Sequence, residues 1–265
     1  MLSWVNLPIV NVINFQGVIM SDSKFSNNRI NIDSFEKIIE AAFKPRNLVA
    51  VCLRINSPGG SPVQSDLVAS MIKEKSEERP EVKVVSFAED MALSGGYWLL
   101  CAGEEIYVNK SSFIGSIGAI VESFGFHEIM KTYGIERRII TAGKNKSMMD
   151  PFREMSKDEC SKIHKNLAAI HEIFKEHVKE ARGDRLTSNE EEIFNGDFWS
   201  GQDAINLGLA DGIHSVRSWI RSNFGQTVYV KYLKGKSKNP LSSLFGTRNT
   251  LSDEIDELTH TFKFK

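Results

Sequence analysis

Apolar residues along this chain fall into two alternating kinds of run. The first kind is short, dense and rich in β-branched side chains: Ile9 to Met20, Leu48 to Ile55 (LVAVCLRI) and Val82 to Ala88 (VKVVSFA). Such residues suit a pleated surface and predict strands, and the near-continuous apolar run Leu48 to Ile55 predicts one buried on both faces of a parallel sheet. Gly17, inside the first run, predicts a bend or bulge. The second kind spaces its apolar residues by three and four. Phe35, Ile38, Ile39, Ala42 and Phe43 predict a helix that opens at Ile32-Asp33-Ser34, and Val63 to Lys75 reads as the next. Glu89 to Leu93 is then expected as a loop and Ser94 to Ala102 as a helix.

Further on, Ile106 to Val108, Ile114 to Val121 and Arg138 to Thr141 read as short strands, with a helix Glu128 to Tyr133 between the last two. Met155 to Arg182 predicts a long helix with Ile163, Leu167, Ile170, Phe174 and Val178 as one stripe. Phe198-Trp199-Ser200-Gly201 leads into a helix from Gln202, which Gly208-Leu209-Ala210-Asp211-Gly212 caps before another short strand. This alternation places the chain in the α/β class with a mostly parallel sheet. Residues 1–233 are expected to form one domain. Lys234 to Thr250, dominated by Lys, Ser, Asn, Gly and Pro, reads as a linker, and Leu251 to Phe262 as an amphipathic tail helix.

Composition narrows the function. With 265 residues, 41% of them hydrophobic and 25% charged, the chain has material for a substantial core. A net charge of −1 gives no electrostatic case for nucleic acid or an anionic membrane as main partner. Cys52, Cys101 and Cys160 are odd in number and lack Cys-x-x-Cys spacing, so buried free thiols are expected rather than disulfides or a zinc site. The uncharged first twenty residues are interrupted by Asn6, Pro8, Asn11, Asn14 and Gln16 and carry no basic n-region. They read as a strand of a soluble, cytosolic protein, not as a signal peptide or membrane span.

Candidate chemistry sits in the turns. Ser57-Pro58-Gly59-Gly60 follows a buried strand, and a glycine pair there can present backbone N–H groups to an oxyanion, Gly59 being the expected donor. The same sequence also makes an ordinary strand-to-helix turn. Ser94-Gly95-Gly96-Tyr97 follows the next strand and places a serine at a helix mouth, either as an N-cap or as a nucleophile with Gly95 N–H as the second oxyanion donor. A nucleophilic serine needs a base. None of the six histidines lies in a motif marking it for that task, and HEIFKEH spaces His171 and His177 six apart where a zinc-protease helix needs four. Gly143-Lys144-Asn145-Lys146-Ser147 offers a lysine instead. Lys146 is flanked by Met148-Met149 and Pro151-Phe152, apolar residues suited to the dry pocket that a neutral lysine requires. No Walker or Gly-x-Gly-x-x-Gly motif and no paired carboxylates occur, so neither nucleotide, metal nor other cofactor is expected.

RINSPGGSP (Arg54 to Pro62), AEDMALSGGYWLLCAGEEI (Ala88 to Ile106), FIGSIGAI (Phe113 to Ile120) and AGKNKSMMDPFREMS (Ala142 to Ser156) occur in this order, and with them the chain resembles the signal peptide peptidase A family of serine proteases from about Val10 to Gly212. The resemblance implies the Clp protease/crotonase fold, with repeated ββα-type units. It implies Ser94 as nucleophile, Lys146 rather than Lys144 as general base, and Ser116 as a hydrogen-bond partner that orients the lysine amine. It further implies a homo-oligomer acting on peptides. Members typically carry an N-terminal membrane anchor, which this sequence does not display, so a cytosolic endopeptidase for short or unfolded apolar peptides is the expectation. The alternatives are a crotonase-like acyl-CoA enzyme and a non-catalytic scaffold of the same fold.

Overall fold

In the computed structural model, which describes residues 7–21, 29–225 and 227–234, the chain divides into two compact units, Gly118–Phe174 and the remainder. The expected linker and tail helix, apart from Lys234, lie outside the described residues.

The larger unit is built on the apolar runs. β1 (Ile9–Gln16), β4 (Leu48–Ser57) and β5 (Lys83–Leu93) pair in parallel at the centre of the sheet. β6 (Glu105–Val108) and β9 (Gly212–Ile213) extend it on one side in the order β1-β4-β5-β6-β9. β10 (Tyr229–Lys234) adds a parallel edge beside β1. Gly17 takes φ +105, a conformation only glycine adopts readily, and so separates β1 from β2 (Val18–Ile19), which pairs with β3 (Arg29–Ile30).

Both faces of the sheet are covered. α1 (Ile32–Phe43), α2 (Pro62–Glu78) and α3 (Gly95–Leu100) lie on one side, where Phe15 stacks on Phe35 at 4.6 Å and Asn11 donates to Ala42 O. α8 (Val216–Phe224) covers the other, packing Val216, Trp219 and Ile220 on Val10, Val12, Ala50, Cys52, Val85 and Phe87. This two-sided burial is why Leu48 to Ile55 of β4 reads as a near-continuous apolar run. α1 is capped by Asn31 and α2 by Ser61, with Pro62 at its first position.

Four expectations are corrected. β5 continues to Leu93, because Met91, Ala92 and Leu93 pair with β7 (Phe113–Gly115), so Glu89 to Leu93 is not a loop. β7 ends at Gly115 rather than Val121, because Ser116 turns away at φ +53. Arg138 to Thr141 forms no strand, and Ile140 is fully exposed. Cys160 is exposed while Cys52 and Cys101 are buried. The sequence reading also omitted α8 and β10. β8 (Phe198–Ser200) runs antiparallel to β7, among the described residues the one departure from the parallel pattern, and leads into α7 (Gly201–Asn206).

The smaller unit holds α4 (His127–Thr132) and the turns from Gly143 to Arg153. α5 (Lys157–Arg182) begins in it, and α6 (Glu190–Ile193) follows α5 in the larger unit.

Candidate active site

Ser94 joins β5 to α3 with φ +50 and ψ −121, a region that L-residues rarely occupy. The N-cap reading fails here: an N-cap residue has extended backbone and bonds its side chain into the first turn, whereas Ser94 makes no such bond. Its backbone is held at both ends. The N–H donates to Gly115 O at 2.8 Å, and the carbonyl accepts from Tyr97 N at 2.9 Å and Trp98 N at 3.1 Å. A strained serine with its hydroxyl left out of the local capping pattern is suited to present that hydroxyl to another molecule.

The Ser57-Pro58-Gly59-Gly60 turn packs directly against it. A Cβ on Gly59 would lie 2.6 Å from Leu93 O, 2.8 Å from Ser94 Cβ and 2.9 Å from Gly95 N, so only glycine fits this contact. Gly59 also sits at φ +99. The turn is pinned from its other side, where Ile19 N donates to Gly59 O at 2.8 Å and Ser61 N to Ile19 O at 2.7 Å. Gly95 packs as tightly, its missing Cβ falling 2.3 Å from Ser65 Oγ and 3.4 Å from Gly60 N. The larger unit thus brings Ser94, Gly59 and Gly95 together. Gly59 N–H donates to Ser57 Oγ at 3.1 Å, a bond within the turn itself.

Ser116 is brought to the same sheet end. β5 and β7 pair Leu93 with Gly115, so Ser94 and Ser116 are the next residues of adjacent parallel strands. Ser116 is half-buried, and its N–H donates to Asp197 O at 2.6 Å.

Lys146 lies in the smaller unit, in a run of turns closed by Lys146 N to Gly143 O at 3.1 Å and Met148 N to Asn145 O at 3.2 Å. Arg153 donates to Ser147 O at 2.5 Å and pairs with Glu159 of α5, and this holds the Glu159 carboxyl down at about 2. Arg137 pairs with Asp150 and lies over the Phe152 ring, 4.6 Å from its centroid. The loop is therefore ordered by charge pairs, while the Lys146 side chain itself is exposed in the single chain. Met149, three residues on, is at φ +60. Among the described residues only Ser94, Ser116 and Met149 combine a side chain with positive φ, and all three fall in the motifs singled out from sequence.

Nucleophilic chemistry at Cys52 and Cys101 is disfavoured, since burial pushes the Cys101 thiol up to about 12 and that of Cys52 higher still. Among the described residues no group of His, Cys, Asp and Glu is arranged to hold a metal ion.

The chain is 40% identical over 84% of its length to a Brucella abortus protein named Na(+)/H(+) antiporter NhaA, covering 30% of that protein. It is 26% identical over 84% of its length to the chloroplastic serine protease SPPA of Arabidopsis thaliana, covering 35% of it. The chain thus spans about a third of these relatives. The solved 1510-N membrane-bound stomatin-specific protease, in complex with a substrate peptide, superposes with a TM-score of 0.52 at 15% identity, over 97% of this chain and 99% of that one, which assigns the Clp protease/crotonase-like fold. The model of peptidase family S49 matches residues 76–223, more than half of the chain, which therefore belongs to that family.

Proposed function

We propose that this chain is a serine endopeptidase that hydrolyses short or unfolded apolar peptides through an acyl-enzyme. The observation that carries the proposal is Ser94: strained, uncapped, and packed against a glycine turn and Gly95. Ser94 Oγ attacks the scissile carbonyl carbon as its proton passes to a neutral Lys146 Nζ. The oxygen that becomes negative is held by Gly95 N–H and the Gly59-Gly60 turn. The lysine returns the proton to the departing amine, and the ester is then hydrolysed by a water that the same lysine deprotonates. Ser116 hydrogen-bonds the amine and turns its lone pair toward Ser94.

A neutral lysine requires a dry setting, and the exposure of Lys146 in the single chain supports an assembly of copies in which a neighbour covers it. The smaller unit carries apolar surface for such an assembly: Ile120, Phe124, Tyr133 and Ile140 are 78%, 79%, 76% and 100% exposed. Cytoplasmic action is part of the proposal. Among the described residues no helix is long and apolar enough to cross a membrane.

A serine-directed fluorophosphonate tests the proposal. Labelling mapped to Ser94 by mass spectrometry, and abolished in Ser94→Ala, is expected. Absence of labelling in the folded protein would favour the acyl-CoA enzyme or the scaffold.

A further inference from the structure

α3 has six residues, too few to hold its own shape, since a helix this short gains little from its few internal hydrogen bonds. Yet its first turn must keep Ser94 in a conformation that L-residues avoid. Something outside α3 therefore fixes it, and its two anchors are Tyr97 and Trp98, whose N–H groups both donate to Ser94 O. Tyr97 is fully buried and its hydroxyl donates to Leu209 O at 2.9 Å.

Trp98 is held by His177 of α5. The two rings stack with centroids 4.6 Å apart and planes 18° from parallel, and His177 Nε2 lies 3.0 Å from Trp98 O. A carbonyl only accepts, so Nε2 carries the proton and donates. Trp98 O is a carbonyl that α3 leaves open, because the amide that would meet it in a longer helix, Ala102 N, donates to Leu99 O instead. His177 thus caps the C-terminal end of the helix that has Ser94 at its other end. Burial lowers the imidazole's proton affinity, which keeps it neutral with a single N–H committed to this bond.

We propose that His177 is a positioning residue: by capping Trp98 O it fixes α3 and, through the Trp98 N–H to Ser94 O bond, the orientation of the Ser94 hydroxyl. The inference rests on the reading of Ser94 as nucleophile. His177 touches no reacting atom, and its effect falls on the rate of acylation, not on substrate binding.

Two variants separate the hydrogen bond from the packing. His177→Phe keeps a ring to stack on Trp98 and loses the donor. His177→Gln keeps an amide N–H near the Nε2 position and loses the ring. Fluorophosphonate acylation of Ser94 is expected to slow about 10-fold or more in His177→Phe, in line with the ~100-fold loss that a 1 Å misplacement can cause, and to stay within about 3-fold of the parent in His177→Gln. Peptide KM should stay unchanged in both. Amide hydrogen exchange at Tyr97 and Trp98, which needs no catalysis, should accelerate in His177→Phe and not in His177→Gln. Parental acylation and exchange rates in His177→Phe overturn the proposal, as does an equal slowing of both variants that follows their melting temperatures. If the parent protein is not acylated at Ser94, the nucleophile reading fails, and the exchange data alone decide whether His177 fixes α3.

Discussion

Ser94 and Ser116 leave adjacent parallel strands at the same register, one residue beyond the Leu93–Gly115 pair, and both turn to positive φ, at +50 and +53. Ser94 N–H donates to Gly115 O at 2.8 Å, so the two turns are joined through one hydrogen bond. Strand pairing thus brings side by side the two serines that the proposed reaction uses.

This strain has a measurable consequence. A non-glycine residue in a sparsely populated backbone region costs on the order of 1–3 kcal/mol. Ser94→Gly relieves that strain while removing the hydroxyl, so it should raise the melting temperature by roughly 2–4 °C per kcal/mol recovered and abolish acylation. Ser94→Ala keeps the strain and should lower peptidase activity about 10³-fold or more without stabilising the fold. Calorimetry of the two variants beside their activities checks the pair. Equal melting temperatures for glycine and alanine would show that Ser94 is unstrained.

Gly59 gives the opposite case. Gly59→Ala puts a methyl group 2.6 Å from Leu93 O and 2.8 Å from Ser94 Cβ, at φ +99. The nearby atoms are main chain or the Ser94 Cβ, so relief requires moving the Ser94 turn. Destabilisation of about 1–3 kcal/mol is expected, with a loss of activity beyond what the unfolded fraction explains. Denaturant unfolding and activity titrations on one preparation separate the two effects.

What the sequence discloses here follows from how local the cause is. β4 was legible because burial on both faces writes itself as a near-continuous apolar run, β1 and β5 through their β-branched residues, and Gly17 because only its own φ was at stake. Ser94, Gly59, Gly95 and Ser116 were legible as motifs, and the larger unit gathers them. The end of β7 was not, since Ile117 is as apolar as Ile114 and only the turn at Ser116 distinguishes them. Ile139 and Ile140 mimic a strand but have no partner strand. α8 did carry a signal, Val216, Trp219 and Ile220 at helical spacing behind a Ser215 cap. His177 had none, because its role depends on a carbonyl that is open only in the folded α3.

Under α3, Arg182 is fully buried at its side chain and meets Asp211 with two hydrogen bonds of 2.9 and 2.8 Å, while its Nε donates to Gly208 O at 2.8 Å. Burial works to raise the Asp211 carboxyl, but the Arg182 and Ile106 N–H bonds outweigh it and leave it below the ordinary carboxylate range. Asp211→Asn strands the guanidinium, and breaking such a buried pair costs about 3 kcal/mol even with Asp211 partly exposed. The melting temperature should fall by about 6–12 °C in a scan near neutral pH. An unchanged value would show that water compensates Arg182.

His177 also predicts a pH dependence. Burial is the main cause of its lowered proton affinity, against a raising contribution from the Trp98 carbonyl, from Asp66 of α2 and from Glu180 of α5, with Lys73 of α2 lowering it. The unfolded chain therefore takes up a proton near pH 6.5, its ordinary value, while the folded chain still holds a neutral ring. Stability is complete above about pH 6.5 and is lost as pH falls from there through the lower folded value. Melting curves between about pH 7.5 and 5 should show the loss in the parent and its reduction in His177→Phe. Parallel curves for the two proteins would place the acid-sensitive group elsewhere.

The exposure of Lys146 gives the last prediction. If the dry setting its amine needs comes from a second copy, the serine and the lysine that react together sit on different chains. Ser94→Ala and Lys146→Ala are each expected to be inactive, while Lys144→Ala, two residues away on the same turns, should keep near-parental activity. Mixing the two inactive variants after dissociation and reassociation creates contacts that pair an intact Ser94 with an intact Lys146. Partial activity should return in proportion to those contacts. Mixed assemblies verified by mass that stay inactive would assign both residues to one chain, and an inactive Lys144→Ala beside an active Lys146→Ala would move the base to Lys144.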